Sequence, residues 1–155
     1  MFWSAVILAL HLLAAVIWVG GMFFAYVVLR PALGSLETGQ PLKLWRQVFP
    51  RFFTWVWVTM IWLVASGYWM LFMVYGGFKG ASPLLHVMNG LGLVMVALFI
   101  WLYLGRWPAF RQQVDDGDME GATVTLGKIR HIIAVNLVLG LVNCAIGGLT
   151  PWIGI

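Results

Sequence analysis

Apolar residues run along this chain in four long blocks, separated by shorter stretches that hold nearly all of the charge. The blocks cover roughly 2–29, 52–75, 84–104 and 132–153, and each reaches the roughly 20 residues an α-helix needs to cross a hydrocarbon core. None alternates apolar and polar residues in the manner of a barrel strand. In lipid every backbone N–H and C=O must find its partner inside the protein, so unalternating blocks of this length predict helices. The pattern therefore predicts an all-α integral membrane four-helix bundle, a single domain over 1–155.

Composition agrees: 63% of residues are hydrophobic and 9% are charged, with a mean hydropathy of +0.96, far from the values of soluble domains. The first block has no Lys or Arg before it and is too long for the core of a cleaved signal, so it is expected to stay in the mature protein. Arg30, Lys43, Arg46 and Arg51 follow the first block, and Arg106, Arg111, Lys128 and Arg130 follow the third. Only Lys79 follows the second. By the positive-inside rule the two basic connections face the cytoplasm, which puts both termini and the 76–83 turn on the outer, periplasmic side of an inner membrane. The net charge of +4 is what that topology and anionic lipid require. The expected partner is the lipid bilayer, with a second copy or a redox partner protein left open and no nucleic acid. Cys144 is the single cysteine, so no internal disulfide forms, and it reads as a small packing residue.

Two connections have a pattern of their own. Between Pro41 and Pro50, Leu42, Trp45 and Phe49 recur at helical spacing beside Lys43 and Arg46, which predicts a short helix lying in the headgroup layer. The 105–130 connection gathers Asp115, Asp116, Asp118 and Glu120 around Gly117. It lacks the spacing and closing Glu of a calcium loop, and reads as a solvated turn with Gly121 onward rejoining the last helix. Arg30-Pro31 and Arg106-Trp107-Pro108 close the first and third blocks alike, a weak sign of a duplicated helical hairpin.

Polar side chains inside hydrocarbon are costly and mark the bundle interior. His11 lies about nine residues, or about 13 Å, into the first span from its outer end. His86 lies one turn into the third span, with Ser82 positioned as its N-cap and Pro83 at the first helical position. Asn143 reaches nearly the depth of His11 from the other side. On the second span Thr59, Ser66, Met70 and Met73 form one stripe, and Asn136, Gly140, Asn143 and Gly147 form another on the fourth. The first span aligns His11, Ala14, Ala15, Trp18 and Met22. The third aligns His86, Asn89, Gly90, Leu93 and Ala97. His131, after Arg130, reads as an interfacial side chain.

Two imidazoles at one end of a bundle, small residues beside them and abundant Trp and Phe describe a pocket for haem b. Its lining would be His11, His86, Trp18, Gly90 and Asn143, with a redox or electron-transfer role and an oxidoreductase activity left open. A depth mismatch of about 8 Å between the two histidines counts against simple bis-histidine ligation, because axial ligands lie about 4 Å apart. The alternative is copper: Cu(I) is soft and accepts His11, His86, Met70, Met73 and Met88 in a low-coordinate site, for binding or uptake. A third reading is a non-catalytic accessory subunit whose polar stripes only pack. No Ser/His/Asp set, P-loop, dinucleotide fingerprint or CxxC is present, so no catalytic residue is assigned.

His11, Trp18, Gly20-Gly21 and Leu29-Arg30-Pro31-Ala32-Leu33 together resemble the opening of the CopD-like copper-resistance membrane domain. Arg130 with Asn136-Leu137-Val138-Leu139-Gly140 is similar to that family's last helix. The resemblance implies a four-helix bacterial inner-membrane protein concerned with copper, its histidines acting as ligands. The first span is also similar to that of the membrane haem-b protoporphyrinogen oxidases, which implies haem ligation by His11. This chain lacks the intramembrane lysine of those oxidases.

Overall fold

A computed structural model describes residues 2–153, with side chains through residue 150. Four long helical rods make up the molecule: α1 (Phe2–Ser35), α2 (Gln40–Met73), α3 (Pro83–Asp115) and α4 (Met119–Ile153). All four are long and apolar enough to span a membrane. α1 packs chiefly on α2, α3 on α4, and α1 meets α4 to close the bundle.

The helices begin and end where local chemistry dictates. Ser82 Oγ accepts the Leu85 N–H at 3.4 Å with Pro83 following it, so α3 opens on the expected cap. Gly39 (φ 87°) precedes Gln40-Pro41 at the head of α2, and Gly117 (φ 80°) makes the turn into α4, both in the left-handed region that glycine enters without a Cβ penalty. Asp118 Oδ1 then accepts the Gly121 N–H at 2.9 Å.

α1 and α3 change register before their prolines. Residues Phe24–Leu29 and Leu102–Arg106 are π-helical, with the Arg30 N–H reaching Ala25 O and the Trp107 N–H reaching Leu102 O. Pro31 and Pro108 bring no N–H, so the α-helical acceptors they would strand are the carbonyls of Val27 and Leu104. Both fall inside the π segments, where the i→i+5 register draws on other donors. The two halves of the chain thus share a device at the same place.

One expectation for the connections is corrected and one is refined. The Pro41–Pro50 stretch is no separate surface helix but the first turns of the 34-residue α2, and Leu42, Trp45 and Phe49 are buried against protein. The 105–130 connection is a short exposed turn around Gly117, with the helices reaching further into it than the apolar blocks indicate: α3 runs on to Asp115 and α4 starts at Met119. The acidic run caps and pairs: Asp115 accepts from Arg46 Nε at 3.1 Å and from Arg46 Nη2 at 3.0 Å.

At 1.5 Å per residue a 34-residue helix is about 51 Å long, roughly 20 Å more than the hydrocarbon thickness. The excess lies at the end carrying Arg46, Arg111 and Lys128, here called the basic end, opposite the terminal end that carries Phe2. Phe49 stacks on Trp45 and Phe53 (centroids 4.9 and 5.2 Å) and meets Trp107 and Phe110 edge-on. Phe53 continues the contact to Phe99, Tyr103 and Trp107. These buried rings are therefore core packing between α2 and α3, while Phe2, Trp3, Trp55, Phe72 and Trp101 stand exposed on the bundle surface.

Burial is uneven along the bundle axis. The buried positions run from Ala14 to Leu33 on α1, Leu42 to Ser66 on α2, Met95 to Phe110 on α3 and Ala122 to Gly140 on α4. Beyond those limits, toward the terminal end, only Gly77 is buried among the described side chains. Gly140 sits at the edge of the packed half. A Cβ there would come within 2.8 Å of Val19 Cγ2 and 3.1 Å of Met95 Cε, so α1, α3 and α4 converge on its hydrogen. Gly140→Val is expected to cost about 1–3 kcal/mol by overpacking, read as a lower melting midpoint in detergent. Gly90→Ala, where a Cβ meets nothing within 4 Å, should leave the midpoint unchanged or raised.

Candidate metal centre

Ser66 is 3% exposed on the α2 stripe that faces α1. Its Oγ lies 2.6 Å from Trp62 O, 3.3 Å from Leu63 O and 2.7 Å from His11 Nδ1. A hydroxyl has one proton, and the shortest contact, to a carbonyl that can only accept, takes it. His11 therefore donates its Nδ1–H to Ser66 Oγ, which leaves Nε2 as the basic nitrogen of a neutral ring. This is how a metal-binding imidazole is oriented: one nitrogen is tied to a neighbour so that the other presents a lone pair. Gly67 completes the seat, since a Cβ there would stand 3.5 Å from His11 Cε1. The sequence reading missed Gly67. The adjacent Ser-Gly pair inside a span was the available signal.

Met70 lies one turn beyond Ser66 toward the terminal end on the same helical stripe and is half-buried. Met73 departs from it, standing 72% exposed at the end of α2. His86 is exposed in the first turn of α3, its ring stacked on Phe78 at 6.2 Å and 14°. Phe78 in turn meets Tyr68 and Phe72 edge-on. The neighbours that hold the two imidazoles are thus separate sets, and the structure brings His86 to the connection rather than to the His11 seat.

Asn143 joins α4 to α3, donating its Nδ2–H to Met88 O at 3.3 Å. Asn136, seven residues earlier on α4, repeats the clasp, donating to Met95 O at 3.2 Å. Both Oδ1 atoms are buried without a partner among the described residues. Met88 also packs against Gly147, where a Cβ would meet its Cε at 3.3 Å. Trp18 is 4% exposed and edge-on to Phe99 at 6.4 Å, about 10 Å nearer the basic end than His11. Gly90 faces open space. Trp18 and Gly90, expected beside a cofactor, accordingly lie apart from His11: one in the aromatic core, the other on the surface of α3.

Among the described residues no three His, Cys, Asp or Glu converge on one point. The soft side chain one turn from Ser66 on the same stripe is Met70. An imidazole with thioethers selects soft Cu(I) over harder divalent ions.

The family model for copper resistance protein D matches residues 46–150. The chain belongs to that family. The match takes in Met70, His86, Met88 and Asn143 and begins after His11 and Trp18, so membership rests on the last three rods rather than on the first-span residues. Comparisons with curated proteins and with solved structures found no match. Family membership points to copper, and nothing in the match supports the similarity to haem-b oxidases.

The tautomer of His11 is directly measurable. Nitrogen-15 imidazole shifts should report the Nδ1–H form in the native protein and a mixture of tautomers in Ser66→Ala. A pure Nε2–H form in the native protein would reverse the assignment of the free nitrogen.

Proposed function

We propose that this chain is a multi-pass inner-membrane copper protein whose terminal-side half binds Cu(I) as cargo, in resistance or uptake. The observation that carries the reading is the family match over residues 46–150. The geometry that fits it is the His11 seat, where Ser66 holds one ring nitrogen at 2.7 Å and leaves the other for metal. Met70 is the nearest soft donor along the same stripe, and Met88 lies on the facing α3–α4 seam of the same half.

The charge distribution of the connections supports placing this half on the periplasmic side. Copper would then reach it without crossing the bundle. The packed half below Ser66 offers no continuation: Thr59 spends its hydroxyl on Trp55 O at 2.8 Å, and Asn136 and the Phe53 and Phe99 rings fill the axis. Binding and hand-over at the terminal end therefore fit better than passage through a single chain.

Titration of the reduced, purified protein with Cu(I) against a chromogenic chelator tests the reading. His11→Ala should weaken Cu(I) binding more than tenfold and Ser66→Ala about tenfold, the usual penalty for losing the group that orients a ligand. Met70→Leu should weaken it severalfold, while Met73→Leu should leave it unchanged. Native affinity in His11→Ala would overturn the assignment, and a Soret band in the purified protein would return the site to haem.

A further inference from the structure

A cavity of about 830 Å³ opens at the basic end between α1, α2 and α4. It is remote from His11 and plays no part in the copper reading. Arg30 and Arg130 both line it, together with Tyr26. Arg30 closes the apolar run of α1 and Arg130 stands just before that of α4, so the two arginines meet at the depth where a bilayer changes from hydrocarbon to headgroup.

Their guanidinium groups are held by their faces and left free at their edges. Arg30 lies over the Tyr26 ring at 4.9 Å, and Arg130 over the Trp45 ring at 6.0 Å. Arg130 Nε is buried with no hydrogen-bond partner among the described residues. Neither arginine has a carboxylate within ion-pair distance; the pair formed among the described residues is Arg46 with Asp115. The two positive charges also repel one another across the space between them. A buried N–H with no acceptor and two uncompensated like charges are each costly. One bound anion relieves both.

Two acids line the same cavity, and their position matters. Glu37 accepts from Gln40 Nε2 at 3.3 Å on the exposed connection. Glu120 lies ten residues before Arg130 on α4, about 15 Å away along the helix. The cavity is thus basic at its membrane end and acidic at its mouth, and an anion is favoured only at the first.

We propose that Arg30 and Arg130 form a phosphate-binding site, with Tyr26 beside them, that takes the phosphate of a phospholipid headgroup or a free phosphate ion. Planar guanidinium forks match phosphate oxygens in pairs. A basic pocket between membrane helices at headgroup depth is the arrangement that captures anionic lipid.

The full chain in nanodiscs containing phosphatidylglycerol and cardiolipin, released into native mass spectrometry, tests this. The native protein should retain a phospholipid adduct, reduced at least tenfold in Arg30→Gln and in Arg130→Gln and only partly in Arg130→Lys. Lys128→Gln, an exposed charge on the same helix outside the cavity, should retain it fully. If the source is soluble, inorganic phosphate alone should raise the melting midpoint of the detergent-solubilised native protein and not that of Arg30→Gln, with no lipid retained. Arg30 is exposed, so its variant keeps the test open should Arg130→Gln fail to fold. Equal adduct loss in Lys128→Gln, or neither lipid nor phosphate responding to Arg30→Gln, would overturn the site.

Discussion

The bundle depends on the aromatic contact between α2 and α3 at its basic end. Within hydrocarbon, helices gain little by hiding apolar side chains, because the lipid they leave is as apolar as the neighbour they meet. Water restores the driving force. These helices are longer than a bilayer is thick, and the excess carries Trp45, Phe49, Trp107 and Phe110 into the headgroup layer and beyond it, where burial is favourable. Phe110 is completely buried and Phe49 is 1% exposed. The ladder at 45, 49 and 53 fixes the rods relative to one another from one end. Inside the lipid the convergence of α1, α3 and α4 at Gly140 continues the contact by close approach instead.

From that constraint the opposite end follows. Past Ser66 and Gly140 nothing large is buried, and the links between rods are single polar contacts: His11 with Ser66, Asn143 with Met88. Such contacts in a membrane contribute modestly, about 1 kcal/mol each. The terminal half is thus packed less deeply than the basic half.

The sequence was legible where one physical rule acts alone. Four apolar blocks predict four spans because lipid admits no other backbone solution here. Ser82-Pro83 predicts the start of α3 because a cap and a donor-free first residue satisfy the same orphan groups. His11 and Ser66 each lie on the small and polar stripe of their helix, and the structure joins them. The Pro41–Pro50 connection departs from its sequence pattern because two rules compete. Pro41 and Pro50 look like boundaries and Lys43 and Arg46 look interfacial, but Pro50 sits inside α2, where Phe49 and Phe53 on either side of it are packed hard enough to hold the helix through one missing hydrogen bond. The Trp and Phe excess pointed to a flat cofactor because composition does not record depth. Placed along the axis, the buried rings Trp45, Phe49, Phe53, Trp107 and Phe110 lie at the end away from His11. His86 was paired with His11 on shared end of the bundle alone, and Phe78, a residue of the connection, is what its ring meets.

The recurrence of a π segment before a proline in α1 and α3 ties these levels together. Each rod leaves the hydrocarbon at an arginine, Arg30 in one and Arg106 in the other, and each arginine lies over an aromatic ring of its own helix, Tyr26 at 4.9 Å and Trp101 at 5.5 Å. A helix that ended there would expose its last carbonyls at the headgroup boundary, where they need partners. The register change instead carries each helix past its proline, which lets α1 turn at Leu33–Ser35 and lets α3 run on to deliver Trp107 and Phe110 to Phe49. The same local device therefore serves two ends. In α1 it shapes one wall of the basic cavity; in α3 it extends the rod into water, where the aromatic contact that holds the bundle gains its stability.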